Sequence, residues 1–258
     1  MRLKYKRRSS AAALWSKRLG IFAFVLLLVS IGAHRLSLLD TADLYIMVAV
    51  VGALALFVLL LAVVGFRALW ANGDRGGIWS AAGVFFAALC LAPIAWFGFL
   101  AVTLPPLHDL STDLENPPPF ALSNRGDERG GNPLTQLPAE TVRLQAAAYP
   151  AVLGRRYEEP ADVVVRAALT VLEERGWPVL AQTGSAALGG SVLVDTSYAS
   201  LWTGFTYSLV LRVRDETDTS YVDMRSAAHF GRHDFGANAG LIRDFLHDLD
   251  FAVATLAN

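Results

Sequence analysis

The chain contains very little cysteine, Cys90 being the only one among its 258 residues. A single cysteine excludes a disulfide within the chain, so a folded domain must be stabilised by its own core. The motifs of several enzyme classes are also missing: a Walker loop, Gly-x-Gly-x-x-Gly, Cys-x-x-Cys, His-Glu-x-x-His and Gly-x-Ser-x-Gly. Because no catalytic signature is present, we expect a protein that is not an enzyme and that has no cofactor.

Charged residues are absent from two long apolar runs, Leu44–Phe66 and Gly76–Thr103, of 23 and 28 residues. A helix needs about 20 apolar residues to cross the hydrocarbon core of a bilayer, so both runs can span it. A third run, Leu19–Ala33, is shorter. It reaches spanning length if Leu14 and Trp15 join it while the two cations between them and the run extend to the headgroups.

The distribution of lysine and arginine predicts the orientation of this three-helix transmembrane region, residues 19–107. Residues 1–18 carry seven cations and no acid, and such a basic tail stays on the cytoplasmic side. We expect a multi-pass protein of the bacterial inner membrane, with the lipid bilayer as a partner and a periplasmic or extracellular C-terminal domain. A cleavable signal peptide over residues 1–32 is the alternative, and it leaves that domain on the same side.

The soluble part lacks lysine and has an excess of acid. Residues 108–258 carry 12 arginines against 20 aspartates and glutamates, a formal charge of −8. This balance argues against a nucleic-acid partner, because phosphate contacts need clustered cations. Residues 108–133 are rich in proline and glycine, and we expect a linker there whose last part, Ser123–Pro133, is a polar loop. The folded extracytoplasmic domain is then residues 134–258.

Apolar periodicity predicts the elements of this domain. Residues 161–175 have an apolar face at helical spacing, and a second amphipathic helix begins near Asp234, a good N-cap. Between them lie short β-prone runs, over residues 178–183, 191–198, 204–214 and 221–228. We therefore predict an α-helical membrane anchor of three spans and an α+β soluble domain, in which two helices cover an antiparallel sheet of three to four strands.

The last two predicted strands alternate apolar and polar side chains, with Val210 as the exception on the polar face. A four-residue loop, Asp215–Asp218, would join them in a hairpin. The register that matches apolar with apolar side chains then places Leu211 opposite Val222.

Two stretches of the chain resemble a known family. One is Ser111-Thr-Asp-Leu-Glu-Asn-Pro-Pro-Pro-Phe120, and the other is Val222-Asp-Met-Arg-Ser-Ala-Ala-His-Phe-Gly-Arg-His-Asp-Phe-Gly-Ala-Asn238. They resemble the leading and closing motifs of an uncharacterised bacterial family catalogued as domain of unknown function 1499, whose members often carry membrane spans ahead of the domain. The resemblance covers roughly residues 108–250 and implies a domain type without an activity. Members tend to differ at His229 and His233, which counts against a family-wide catalytic role for these histidines.

The closing motif contains the best candidate for a ligand-binding site. Amide groups at the start of a helix bind phosphate or carboxylate, and arginines lie near the start of the last predicted helix. The predicted ligand-binding residues are Arg225, Ser226, Arg232, Asp234, Asn238 and Arg243. In the structural alternative, the nearby glycines only permit a tight turn, and Asn238 bonds to local backbone.

The leading motif is a second candidate, through Asp113, Asn116, Pro117 and Phe120. Either the segment is a rigid spacer docked along the domain, with Asp113 and Asn116 as turn formers, or it is a clip that a partner displaces. We thus expect a membrane-anchored envelope protein whose outer domain binds a small anionic ligand or a partner, such as another membrane or envelope protein.

An envelope hydrolase is the alternative function. His229, His233 and Asp234 could bind a metal such as zinc, and Ser226 beside the histidines could act as a nucleophile. However, the spacing of the two histidines faces a common metal only on a helix, and their segment is predicted to connect a strand to a helix. A third hypothesis is a structural role for the spans, packed against another membrane protein through small residues, namely Gly83, Ala87 and Ala88.

Overall fold

Three long helices fill the first part of the chain: α1, Ala11–Arg35; α2, Thr41–Asn72; and α3, Gly77–Thr103. The computed structural model describes residues 8–121, 131–186, 190–216 and 219–256, and within these ranges the three predicted helices are confirmed. Each is long and apolar enough to cross a membrane. The first helix has 25 residues because it begins after Ser10, whose hydroxyl accepts from the N–H of Ala13 at 3.3 Å.

Small side chains let these helices approach one another. A Cβ atom at Gly83 of α3 would collide with Ser16 of α1, and one at Gly20 of α1 would lie 3.3 Å from the carbonyl oxygen of Gly83. Ala87 of α3 is buried in the same unit, whereas Ala88 is exposed. Gly83 and Ala87 therefore serve packing within the chain, and the third hypothesis, packing against another protein, stays a prediction.

Gly83→Val should weaken the packing of α3 against α1, since overpacking typically costs about 1–3 kcal/mol. We expect the Tm of the full-length protein in detergent to fall by several degrees, as measured by differential scanning fluorimetry. Gly98→Val is the matched control in the same helix, because a Cβ atom there meets nothing within 4 Å. Equal Tm values for the two variants would contradict this account of the packing.

The second unit of the chain starts at Leu100, and its described residues contain six strands and three helices. The strands are β1, Asp109–Ser111; β2, Arg155–Tyr157; β3, Val179–Gly184; β4, Ser191–Ala199; β5, Thr206–Asp215; and β6, Ser220–Ala228. The helices are α4, Ala139–Ala148; α5, Ala161–Glu174; and α6, Ala237–Leu256. The strands form one antiparallel sheet in the order β1-β6-β5-β4-β3, and β2 pairs with β6 beside β1. The predicted α+β class is confirmed.

Helices α5 and α6 cover one face of the sheet. Their apolar stripes, which include Leu172 and Phe245, join Leu209, Leu211 and Met224 of the sheet in the main core. The four predicted strands correspond to β3 to β6. The strands β1 and β2 were not expected, because three residues are too few to show an alternating pattern.

The predicted register of the β5–β6 hairpin is wrong by two residues. Leu211 lies opposite Met224 rather than Val222. A shift of two keeps every side chain on its own face, so alternation alone cannot distinguish the two registers. The observed register places Arg212 opposite Asp223, and the attraction between these charges favours it over the predicted one.

Part of the second face of the sheet is covered by chain segments before α4. The predicted linker, residues 108–133, begins as strand β1, and Phe120 packs on Val210 and Ala227 of this face. The exception in the alternating pattern, Val210, is therefore buried under the leading motif. The predicted polar loop falls mostly on residues 122–130, which lie outside the described residues.

Candidate functional site

Two segments of irregular backbone enclose a cleft on the second face of the sheet. One wall comes from Leu114–Phe120 and the other from Leu134–Leu137, and the buried Arg225 of β6 lies at the base. The cleft has a volume of about 470 Å³, which is within the usual range for ligand sites. We call it the motif cleft, because its first wall is the leading motif.

The start of the leading motif is held on both sides. Thr112 continues the pairing with β6: its N–H donates to the carbonyl of Met224 at 2.9 Å, and its Oγ1 accepts from the Met224 N–H at 2.9 Å. On the other side, the Gln145 amide accepts from the N–H of Ser111 at 3.1 Å and donates to its carbonyl at 2.6 Å. Gln145 thus occupies the place of a neighbouring strand and fixes the base of the motif.

Asp113 then turns the chain across the sheet. Its Oδ1 accepts from the N–H groups of Glu115 and Asn116 at 3.1 and 2.9 Å, so it is a turn former as expected. Its Oδ2 accepts from Arg212 at 2.7 Å, and Arg212 also donates to Asp223 at 2.9 Å. Only 7% of the Arg212 side chain is exposed, so this network neutralises a buried cation.

Arg225 connects both walls of the motif cleft. Its Nε and Nη2 donate to the two carboxylate oxygens of Asp109 at 2.9 and 2.7 Å. The same guanidinium donates to the carbonyl of Pro118 in the first wall, at 3.4 Å, and to the carbonyl of Thr135 in the second, at 2.5 Å. It also lies 4.9 Å from the centre of the Phe120 ring, a cation–π contact. The position of each wall therefore depends on this side chain.

Burial sets the electrostatics of the Asp109–Arg225 pair. It raises the pKa of Asp109 above its usual range, and the hydrogen bond and the charge of Arg225 act in the opposite direction. The aspartate can therefore stay ionised at this depth only with the guanidinium beside it.

The structure brings three of the predicted ligand-binding residues together at the start of α6. The Asp234 carboxylate accepts from the N–H groups of Gly236 and Asn238 at 3.0 and 2.8 Å. The Ser226 hydroxyl donates to Oδ1 of Asn238 at 2.7 Å. Burial raises the pKa of Asp234, while these backbone hydrogen bonds act to lower it. The protein's own carboxylate thus fills the place that an anion would take at this helix start.

The three predicted arginines do not share the buried position of this cluster. Arg225 projects to the opposite face of the sheet, because successive residues of a strand alternate in direction. Arg232 and Arg243 are exposed, and Arg243 donates to the carbonyl of Ala239 at 3.1 Å. The six residues do not form one site, and a ligand-binding role for them stays a prediction.

The residues of the alternative hydrolase site are also separated. Ser226 bonds on the α6 side of the sheet, whereas Nε2 of His229 lies 2.7 Å from Oγ of Ser208 on the other side. His233 contacts the carbonyl of Leu104 with Nε2 at 3.0 Å, and its Nδ1 accepts a nearby backbone N–H at 2.9 Å. Within the described ranges, no group of three His, Cys, Asp or Glu residues could hold a metal ion.

Sequence reasoning missed Asp109, Gln145 and the wall Leu134–Leu137. Asp109 lies two residues before the leading motif and Arg225 belongs to the closing one, so their opposite charges were a signal that the two motifs meet. Gln145 and the second wall have no such signal, because their role depends on contacts between residues far apart in the sequence.

Arg225→Met should destabilise the domain, because removing one member of a buried ion pair costs about 3–5 kcal/mol. Without the guanidinium, the pKa of Asp109 should rise further, and a group with a raised pKa loses stabilising free energy as the pH rises through that pKa. The loss of unfolding free energy relative to the wild type should therefore be larger at neutral than at acidic pH. Urea denaturation of the full-length protein in micelles, followed by near-UV circular dichroism, measures it.

The control for this pH dependence is the double variant Asp109→Asn, Arg225→Met, which carries no buried charge at this position. Its loss of stability should vary much less with pH. A pH-independent loss in Arg225→Met, or the same pH dependence in both variants, would show that Asp109 does not titrate in this way.

Comparison with known proteins identifies the soluble part. A family model described as Protein of unknown function (DUF1499) matches residues 109–249, which is more than half of the chain. The match begins at the first residue of β1 and ends within α6, so it contains both motifs and the whole described sheet. No curated protein and no solved structure matches the chain.

Proposed function

The chain belongs to the DUF1499 family, and from this premise we propose that it is a membrane-anchored binding module whose motif cleft takes an extended segment of a partner polypeptide. The observation that carries the proposal is the lining of the cleft: two irregular walls combine polar and apolar side chains over a cation that is already neutralised.

The lining suits a polypeptide segment. The apolar side chains of the walls are Leu114, Pro117, Pro119, Phe120, Leu134 and Leu137. Asn116, Thr135 and Gln136 add polar groups without charge, which can bond to peptide groups. A groove that offers both hydrogen-bonding groups and apolar contacts suits an extended peptide, whose backbone needs hydrogen-bonding partners.

The charges of the cleft favour a neutral or basic segment over a small anion. Arg225 is the cation that lines the cleft, and the bidentate pair with Asp109 compensates its charge. Glu115 adds a negative charge to the first wall. Among the described residues that line the cleft, an anion would therefore meet no cation without a partner, and it would be repelled by Glu115.

The three apolar helices would anchor this module in the bacterial inner membrane, with the N-terminus in the cytoplasm. The support is the basic tail, residues 1–18, with seven cations and no acid. The motif cleft would then lie on the outer side of that membrane, and its partner would be another envelope protein.

Selection of a phage-displayed library of short random peptides on the full-length protein in lipid nanodiscs tests the proposal. The Kd of the selected peptides is then measured by fluorescence anisotropy. Leu137→Asp, in the second wall, should raise Kd about tenfold or more, which corresponds to the loss of one anchoring contact of about 1.4 kcal/mol. The matched control is Leu153→Asp, at an exposed position outside the cleft, which should leave Kd unchanged.

A library that yields no binder, or binders that respond equally to the two substitutions, would contradict the proposal. The small-anion hypothesis is tested separately with inorganic phosphate by isothermal titration calorimetry. Phosphate binding that is lost in Arg232→Ala would favour a site near the start of α6 over the motif cleft.

A further inference from the structure

The turn between β4 and β5 presents two large apolar side chains to solvent. Leu201 and Trp202 are 69% and 86% exposed. Backbone hydrogen bonds close the turn, from the N–H of Ser200 to the carbonyl of Phe205 at 2.8 Å and from the N–H of Gly204 to the carbonyl of Ser200 at 2.9 Å. Gly204 has a φ of 77°, which glycine adopts without strain. We call residues 200–205 the aromatic tip.

The aromatic tip lies at the end of the sheet where the chain enters the domain. Asp109, Ala227 and Ser208 form one row across β1, β6 and β5. In the next row, the carbonyl of His108 accepts from the N–H of Ala228 at 2.7 Å. β1 and β5 are both antiparallel to β6, so they begin at the same end of the sheet. The aromatic tip, which directly precedes β5, lies at that end. The tip is two strand spacings, roughly 10 Å, to the side of the entering chain.

The bilayer is within reach of this end of the sheet. Five residues separate the end of α3, at Thr103, from the start of β1, at Asp109, and such a segment spans at most roughly 18 Å. If α3 crosses the membrane, the chain holds this end of the sheet near the membrane surface. This step rests on the membrane anchoring proposed above, but it does not depend on a peptide ligand.

The two ends of β5 differ in charge. Residues 197–206, around the aromatic tip, contain no charged side chain, whereas residues 214–219, at the opposite turn, contain one arginine and three acids. Tryptophan is enriched at the membrane–water interface, where its ring meets both apolar and polar surroundings. The exposed Arg232, in the loop that follows β6 at the same end, adds a cation that anionic headgroups attract.

We propose that Leu201 and Trp202 insert into the interfacial region of the membrane in which the chain is anchored. The insertion is a second attachment of the soluble unit, besides the covalent one at α3. It directs the charged β5–β6 turn away from the bilayer and limits rotation of the domain about its short connection.

Spin labels on the full-length protein test this insertion in nanodiscs of phosphatidylcholine and phosphatidylglycerol. In a Cys90→Ala background, one label is placed at Leu201→Cys and the control label at Ser185→Cys. Ser185 is an exposed residue after β3, at the opposite end of the sheet. Molecular oxygen concentrates in lipid and a nickel chelate stays in water. The ratio of oxygen to nickel accessibility should therefore be several-fold higher for the label at position 201.

A label at position 201 that the nickel chelate reaches as easily as the control overturns the proposal. A label shielded from both agents also overturns it, because it would indicate contact with protein. Wild type and Trp202→Ser give a second readout without a label: the difference in their tryptophan emission should shrink in brominated lipids, and an equal difference in both lipids would refute insertion. Neither measurement uses a peptide, so its result is separate from that of the motif cleft experiment.

Discussion

The arrangement of the two cleft walls on the second face of the sheet depends on the pairing of Arg225 with Asp109. Both side chains are buried, so each charge has lost its hydration and needs the other. The pair joins the first residue of the family domain to its last strand. Replacing such a pair by apolar residues of similar shape is often neutral for stability. An apolar residue could not, however, donate to the carbonyls of Pro118 and Thr135, and these bonds position the two walls.

Prolines in and beside the two walls keep the motif cleft open. Pro117, Pro118 and Pro119 have no N–H group, and Pro133 and Pro138 flank the second wall in the same way. Without these donors, the two walls cannot pair with each other as strands of a small sheet. Side chains hold them instead: Arg225 bonds to both walls, and the network around Arg212 holds the start of the first. The result is a groove between two fixed segments on the second face of the sheet.

Long elements with a regular apolar pattern could be predicted from the sequence. Features that depend on contacts between two distant segments could not. The three long helices, α5, α6 and the strands β3 to β6 all have clear apolar patterns. The register of β5 on β6 could not be predicted from the apolar pattern alone, because a shift of two residues preserves every face. Val210 was the informative residue, since one buried valine on a polar face indicates that something covers it. For the site, proximity in sequence was misleading: Arg225 and Ser226 are neighbours in the chain and lie on opposite faces of the sheet.

The proposed anchoring and the proposed ligand support each other in energetic terms. A stable protein–protein interface buries about 1,200–2,000 Å² in total, and a groove of about 470 Å³ accommodates only a short segment. Binding to the motif cleft alone would therefore be weak in free solution. A partner in the same membrane would meet the cleft at a high effective concentration, as linked binding modules do. A second attachment at the aromatic tip would already restrict the orientation of the domain, so less rotational entropy would be lost on binding. A weak groove is thus suited to a module that is fixed to the membrane of its partner.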